Sequence, residues 1–359
     1  MKNLEWTKSG AAKRLGIQYP ILQAPMAGGI TVPELIAAVS GSGGLGNMGA
    51  GYMSAEDMER DIKKVKELTA EPYGVNLFLP ADPLVDENKL QRMYRKLEGL
   101  QQEPGISTAA AYKEKDRRQL FGEQLETVLR LRVPIVSFTF GIPEREAVSE
   151  LHRNGTVIIG TATNVLEAEE MEEAGADLVV AQGSEAGGHR GTFHSEERGL
   201  IGTMALIPQV ADRVKIPVIA AGGIMDARGI AAAFMLGAQG VQLGTAFLPC
   251  SESGAHPAYK EAVLEGKGEE TVLTKAFSGK LARGMENRFI SEMKDMDAEL
   301  LPFPVQNDLT GPIRRKAAKD ANKDYMSLWA GQAVSLSKEL PAARLMEDLI
   351  AGTDSLLKK

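Results

Sequence analysis

One cysteine, Cys250, stands among 359 residues, so no intramolecular disulfide forms and a disulfide-stapled fold is excluded. A lone thiol suits a reducing compartment, and the composition predicts a soluble, cytoplasmic protein. Histidines are scarce as well. His152, His189, His194 and His256 include only one close pair, and no cluster has metal-ligand spacing. No apolar run approaches the roughly 20 residues needed to span a bilayer, and Met1 to Lys8 lacks the apolar centre of a signal peptide. Excess positive charge is missing too. With 41 basic against 48 acidic residues, a net charge of −7 and a pI near 5.4, neither nucleic acid nor an anionic membrane is expected as a partner. The P-loop pattern does not occur. The run Gly41 to Gly46 formally satisfies the dinucleotide fingerprint G-x-G-x-x-G. It follows a helical stretch and leads into a strand, the reverse of the required order, so it reads as a helix end and a tight turn.

What the chain does have is alternation. Strand-like runs occupy 19–24, the approach to 46, 72–79, 133–138, 156–160, 178–181, 216–221 and 240–244. Helical spacing fills the intervals: one helix starting at Thr31 as N-cap with Glu34 three residues on, then 54–69, 86–130 with a Gly/Pro break near 99–105, 144–153, 164–174, 203–213 and 226–236. Eight β units separated by helices, with strands apolar throughout, predict a (β/α)8 TIM barrel spanning 1–250. A doubly wound sheet is the competitor, and the even recurrence of the units argues against it. Beyond 250 the pattern changes. Helices are expected over 256–266 and 280–296, with interruptions at 301–305 and at Gly311-Pro312, and mostly helix again to 359. This predicts a small helical subdomain over the barrel mouth (251–325) and C-terminal helices returning to the barrel (326–359). The Met- and Leu-rich tail helices offer an interface for a homodimer.

In a barrel the strand C-termini converge on one mouth. The sixth strand ends in Ala181-Gln-Gly-Ser-Glu-Ala-Gly-Gly-His-Arg-Gly191, a glycine-rich turn carrying one imidazole able to exchange a proton near neutral pH. Its bland alternative is a flexible surface loop. The seventh and eighth strands end in Gly222-Gly223 and in Gln242-Leu243-Gly244-Thr245, where backbone N–H groups and a hydroxyl suit a phosphate. Asn76 and Gln182 carry amides that match a flat heterocycle with mixed hydrogen-bonding edges, or are satisfied internally. His152, His194 and His256 read as surface or packing residues. Glu185 either orients His189, caps a turn or points into water.

These residues resemble a known family. Gln23-Ala-Pro-Met-Ala-Gly-Gly29, Ala37-Ala-Val-Ser40 with Gly43-Gly-Leu-Gly46, the 181–191 run, Ala276-Phe-Ser-Gly279, Ala282-Arg-Gly284, Asn287-Arg-Phe289, Pro304-Val-Gln-Asn307 and Ser327-Leu-Trp-Ala-Gly-Gln332 look like the nitronate monooxygenases. The resemblance implies an FMN enzyme that oxidises alkyl nitronates with O2 to a carbonyl compound and nitrite. By motif, Asn76, Gln182, Gly187, Gly223 and the run Gln242, Leu243, Gly244, Thr245 would hold FMN, Gly222 would assist, and Pro25, Met26, Ala27 and Gly28 would line the isoalloxazine. His189 matches the family's base on nitroalkanes, or its substrate-positioning group on nitronates. FMN-dependent enoyl-[acyl-carrier-protein] reductases share the Glu-Ala-Gly-Gly-His stretch, and NAD(P)H-dependent flavin reductases share the barrel. The first-strand loop and the 304–307 and 327–332 segments fit the nitronate enzymes. A flavin-binding sensor without turnover is the alternative of a different class.

Overall fold

The computed structural model describes residues 5–100, 112, 115–194 and 200–357. In chain order the elements are α1 Gly10–Leu15, β1 Ile21–Gln23, α2 Pro33–Gly41, β2 Gly46–Gly49, α3 Ala55–Leu68, β3 Tyr73–Phe78, α4 Glu87–Leu100, α5 Arg117–Arg130, β4 Ile135–Thr139, α6 Arg145–Arg153, β5 Val157–Ala162, α7 Val165–Glu173 and β6 Leu178–Gln182. There follow β7 Gly188–His189, α8 Thr203–Ala211, β8 Val218–Ala221, α9 Ala227–Met235, β9 Gly240–Leu243, α10 Pro257–Glu265, β10 Thr271–Thr274, β11 Ala282–Met285, α11 Arg288–Glu292, α12 Val305–Lys319 and α13 Ala342–Leu357. The Gly/Pro break expected near 99–105 lies mostly outside the described residues.

Eight strands form one parallel sheet in the order β1-β9-β8-β6-β5-β4-β3-β2. The edges β1 and β2 meet through a bridge between Leu22 and Leu45, where Leu45 N–H donates to Ile21 at 3.0 Å and Gln23 N–H donates to Leu45 at 2.9 Å. That contact closes the (β/α)8 barrel. The strands are apolar throughout because both faces are covered: one by side chains filling the barrel, the other by the helices. Leu22, Ile135, Ile159, Leu178 and Ile219 fill the interior and pack with Ala11, Ala12 and Leu15 of α1, which plugs the barrel at the N-terminal ends of the strands. Ser54 caps α3 by accepting from Asp57 N–H, as its sequence signature requires.

Three expectations fail locally. Thr31 does not cap α2; Val32 occupies that position, and the Thr31 hydroxyl instead donates to Met26 and accepts from Gly49 N–H at 2.8 Å. The first-strand turn is thereby tied to β2. Residues 282–285 form a strand, not a helix, because β11 is held between β10 and β7 in an antiparallel three-stranded sheet. Gly311-Pro312 does not break α12, since buried Leu309 and Ile313 hold that helix in place. The tail is therefore mixed in structure, and it has its own apolar core, joined by Leu90, Met93 and Leu97 of α4. The last helix, α13, lies against α9 and α2. There Asp354 accepts from the Trp6 indole at 2.8 Å, joining the two ends of the chain.

Cys250 is fully buried beside Phe247, and burial pushes its thiol up to about 12. A protonated, inaccessible thiol is a packing group. Cys250→Ala should cost about 1 kcal/mol of stability and leave turnover within a few-fold, measured by thermal melting and steady-state rates on the same preparation. A loss of several orders of magnitude with an unchanged melt would give the thiol a chemical role.

Candidate active site

The C-terminal ends of the strands open into a cavity of about 1130 Å³. Pro25, Met26, Ala27, Gly28, Asn76, Gln182, Gly187, His189, Gln242, Gly244 and Thr245 all line it. The other three predicted residues do not face it. Leu243 points its side chain away from the cavity into the layer between strands and helices, with Leu35 and Val39 of α2, and Gly222 and Gly223 form a turn beside the cavity, packed on the loop after β6. A Cβ on Gly222 would come within 3.0 Å of the Gly183 carbonyl and the Thr203 hydroxyl.

The loop after β6 is held from several sides. Arg190 is 1% exposed, and its guanidinium donates to the carbonyls of Gly183 and Gln182. Arg283 donates to the Ser184 carbonyl at 3.0 Å. Glu185 accepts from Thr203 N–H at 2.9 Å and from its hydroxyl at 2.8 Å, so it anchors the start of α8 and does not orient His189. Gln182 joins the two arms of the loop: its amide donates to His189 C=O at 3.1 Å and its oxygen accepts from Gly191 N–H at 2.8 Å. Beyond Gly191, buried Glu167 accepts from Thr163, Thr192 and Phe193. Burial raises its pKa, but these donors outweigh that and leave it below the usual carboxylate range. Gly188 and His189 then pair with Arg283 and Ala282 as an antiparallel strand. The histidine therefore sits on a fixed strand and not on a flexible loop.

Around the His189 ring stand Trp329 at 5.5 Å, Phe140 at 5.9 Å and Phe303 at 5.9 Å between centroids. Its Nε2 lies 2.8 Å from the Ser278 hydroxyl, which lies 3.1 Å from the Lys280 carbonyl and 3.3 Å from Lys280 N–H. Ser278 has one proton to give. Given to Lys280, it leaves Ser278 accepting from Nε2–H and Nδ1 carrying the lone pair of a base. Given to Nε2, it leaves Nδ1–H as a donor to a substrate oxygen. Burial, then the charges of Lys280 and Arg314, lower the His189 pKa from its ordinary value to about 3. This corrects the expectation of an imidazole poised near neutrality: it is neutral, and it is a weak base.

A second cluster lies where three chain segments meet. A Cβ on Gly187 would stand 2.5 Å from Gly331 N, and a Cβ on Gly331 would stand 2.7 Å from the Glu185 carbonyl. Thr245 Oγ1 accepts from Gly331 N–H at 3.0 Å. The loop after β6, the end of β9 and residues 330–331 thus approach backbone to backbone, with small residues and N–H groups at the junction. Asn76, 2% exposed, donates to Ser137 and Thr139, while its carbonyl oxygen meets no protein donor among the described residues. Ser278, Phe140, Gly331 and Glu167 were not legible as site residues, because none carries a local signature. Ser278 and Gly331 do fall within the recognisable segments 276–279 and 327–332. His152 and His194 stand apart, meeting Asp177 and Glu170 at the surface, whereas His256 caps α10 and also lines the cavity.

A closed parallel barrel with glycine turns, a half-buried imidazole and an unmatched amide at its C-terminal mouth defines a barrel enzyme built for an anionic or heterocyclic ligand. The comparisons narrow this to one family. The chain matches the nitronate monooxygenase family profile over residues 9–352 and belongs to that family, whose members are flavin-dependent oxidoreductases. A "probable nitronate monooxygenase" of Staphylococcus haemolyticus is 46% identical, across 98% of this chain and 99% of that one. Its counterpart in Staphylococcus aureus is 43% identical over the same shares. Among solved structures, nitroalkane oxidase from Streptomyces ansochromogenes superposes with a TM-score of 0.89 at 41% identity, covering 96% of this chain and 98% of that one. FabK from Thermotoga maritima is more distant, with a TM-score of 0.78 at 32% identity over 98% and 97%. Among the described residues no helix is long and apolar enough to cross a membrane, and no group of His, Cys, Asp or Glu could hold a metal ion.

Proposed function

We propose that this protein is an FMN-dependent, cytoplasmic nitronate monooxygenase that converts alkyl nitronates and O2 to a carbonyl compound and nitrite. FMN fits the residues present. The close-packed junction of Gly187, Thr245 and Gly331, beside the Gly222-Gly223 turn, offers backbone donors to a phosphate. Pro25 to Gly28 offer a flat apolar wall, and the free Asn76 oxygen suits a ring N–H. When bound, the flavin supplies the electron transfer between nitronate and O2. The protein's part is to orient the substrate, exclude water and hold one proton.

The observation that carries this reading is the placement of His189, held on a fixed strand in the cavity with Nε2 2.8 Å from the Ser278 hydroxyl and three aromatic rings around its own. A neutral imidazole with a pKa near 3 is poorly matched to removing a carbon-bound proton, since base strength follows pKa. A nitronate has already lost that proton, and its anion is compatible with Lys280 and Arg314 close by. Ser278 sets the tautomer, and in the Nδ1–H form His189 donates to a nitro oxygen. The aromatic ring of Phe140, Phe303 and Trp329 keeps water from that bond.

The test is anaerobic. The yellow holoenzyme is mixed with an alkyl nitronate and, separately, with NADH, while flavin absorbance is followed. Loss of the oxidised spectrum with nitronate alone supports the proposal, with nitrite appearing once air is admitted. Reduction by NADH alone would instead place the protein with reductases such as FabK. No change with either would make it a binding protein.

A further inference from the structure

A row of aromatic rings runs from the cavity wall into the core of the tail. His189 meets Trp329, which lines the cavity, at 5.5 Å between centroids. Trp329 meets Phe277 edge-on at 5.7 Å, Phe277 stacks on Phe289 of α11 at 4.5 Å with the planes 19° apart, and Phe289 meets Tyr325 edge-on at 6.2 Å. Each gap is ordinary ring-to-ring contact. Phe277, Phe289 and Tyr325 are buried together in the tail core.

Aromatic rings pack in most cores, so this packing alone assigns nothing. The ends of the row distinguish it. Among ring side chains, indole and phenol give up an electron most readily, and here Trp329 and Tyr325 stand at the ends with Phe277 and Phe289 between them. A phenol gives up its electron readily only where its proton has an acceptor. The Tyr325 hydroxyl lies 3.1 Å from Glu292 Oε2, and this carboxylate, a quarter exposed, accepts from Arg288 Nε at 2.6 Å through its other oxygen. Tyr259 is the contrast. Its hydroxyl donates to the Trp329 carbonyl, a poor proton acceptor, and burial raises its pKa. Trp6, the other indole of the chain, is buried against Tyr19 and Phe234, away from the cavity.

We propose that Trp329 and Tyr325, bridged by Phe277 and Phe289, form an escape path for one-electron oxidants produced in the cavity, ending at Glu292 on the protein surface. The inference rests on the nitronate reading for its oxidant, but not for the path itself. One-electron oxidation of a nitronate leaves a carbon radical, and O2 adds to it through a new C–O bond to give a peroxyl radical. A peroxyl radical that lingers takes one electron from the Trp329 indole and one proton from water, and becomes a hydroperoxide. The indole recovers its electron from Tyr325, whose O–H bond breaks as the proton passes to Glu292. A thiol in solution then gives an electron and a proton to the phenoxyl radical and is left as a thiyl radical, while Glu292 releases its proton to water. The oxidising equivalent leaves the protein, and the groups around His189 stay unmodified.

Pulse radiolysis in azide solution tests the path without substrate or turnover. The azide radical oxidises indole to its radical, and a Trp6→Phe background leaves Trp329 as the one indole. In that holoenzyme the indolyl absorption should give way to phenoxyl absorption. With Tyr325→Phe added, the indolyl radical should live at least about tenfold longer, equivalent to roughly 1.4 kcal/mol on the barrier to transfer. Glu292→Gln keeps the phenol but cannot take its proton, so it should also slow the transfer, whereas Tyr259→Phe should not. Melting temperature and flavin content serve as folding controls, and if Tyr325→Phe melts early, Glu292→Gln decides. In turnover on an alkyl nitronate, Tyr325→Phe should keep the wild-type kcat/KM yet lose activity in several-fold fewer turnovers, with oxidised Trp329 found by peptide mass spectrometry. An indolyl radical that decays equally fast in Tyr325→Phe, or that is prolonged only by Tyr259→Phe, would overturn the path. Equal survival of wild type and Tyr325→Phe, with Trp329 unmodified in both, would overturn its protective role. If no nitronate is turned over at all, the function reading fails, and the radiolysis still decides whether the path exists.

Discussion

His189→Ala should lower kcat/KM for an alkyl nitronate by about 10–100-fold, the scale of a lost hydrogen bond to a charged oxygen, while His189→Asn loses less than about tenfold. Asparagine keeps a side chain able to donate to a nitro oxygen but has no basic nitrogen. The loss should thus fall on the variant without a donor, and a neutral nitroalkane, which still needs its α-proton removed, should be a poor substrate even for wild type. Flavin content should hardly change, since the proposed FMN contacts lie on other residues. The pH profile adds a second readout. Because the His189 pKa is depressed to about 3, the imidazole remains neutral as pH falls through its ordinary value of about 6.5. Between about pH 5 and 8, wild-type kcat/KM on a nitronate should therefore show no inflection from this residue. Steady-state rates on one nitroalkane–nitronate pair, for wild type and both variants across that range, check both points. A neutral nitroalkane turned over as fast as its nitronate by wild type, and no longer by His189→Asn, would make His189 a general base. An inflection near 6.5 that disappears in the variant would show that the imidazole titrates normally.

Gly187→Val should yield protein that is folded but largely colourless. The added Cβ would sit 2.5 Å from Gly331 N and 2.6 Å from the Ala330 carbonyl carbon, both backbone atoms that cannot swing aside. Overpacking of this kind costs about 1–3 kcal/mol, and the simplest relief is for residues 330–331 to withdraw. That would separate Gly331 from Thr245 and open the junction where we place the phosphate. Bound flavin should fall at least tenfold while far-ultraviolet circular dichroism stays near wild type. Full flavin occupancy with unchanged affinity would put the phosphate elsewhere in the cavity.

The sequence by itself determined the barrel. Its eight apolar strands are buried on both faces, and a period of that kind is local, so it can be read without knowing what packs on it. It also determined His189 and most of the cavity wall, because strand ends of a parallel barrel converge on one mouth whatever the loops do. Long-range pairing was beyond it. Residues 282–285 look helical by spacing, yet they are a strand because β10 and β7 lie on either side, and that same pairing fixes the histidine. Pro312 reads as a helix break, but the apolar core that takes up Leu309 and Ile313 carries α12 on past it. Thr31 has the form of a cap and was recruited instead to tie two loops together.

The chemistry of the site was decided at the tertiary level for the same reason. A histidine's pKa depends on desolvation and on nearby charge, and Lys280 and Arg314 reach His189 from positions 91 and 125 residues further along the chain. Ser278, which sets the tautomer, comes from the segment between β10 and β11. Glu185 stood next to the histidine in sequence and proved to serve α8, while Glu167, outside every motif, holds the outgoing loop from beneath. Side chains near in sequence were separated by the fold, and those that govern the proton on His189 were brought to it by packing.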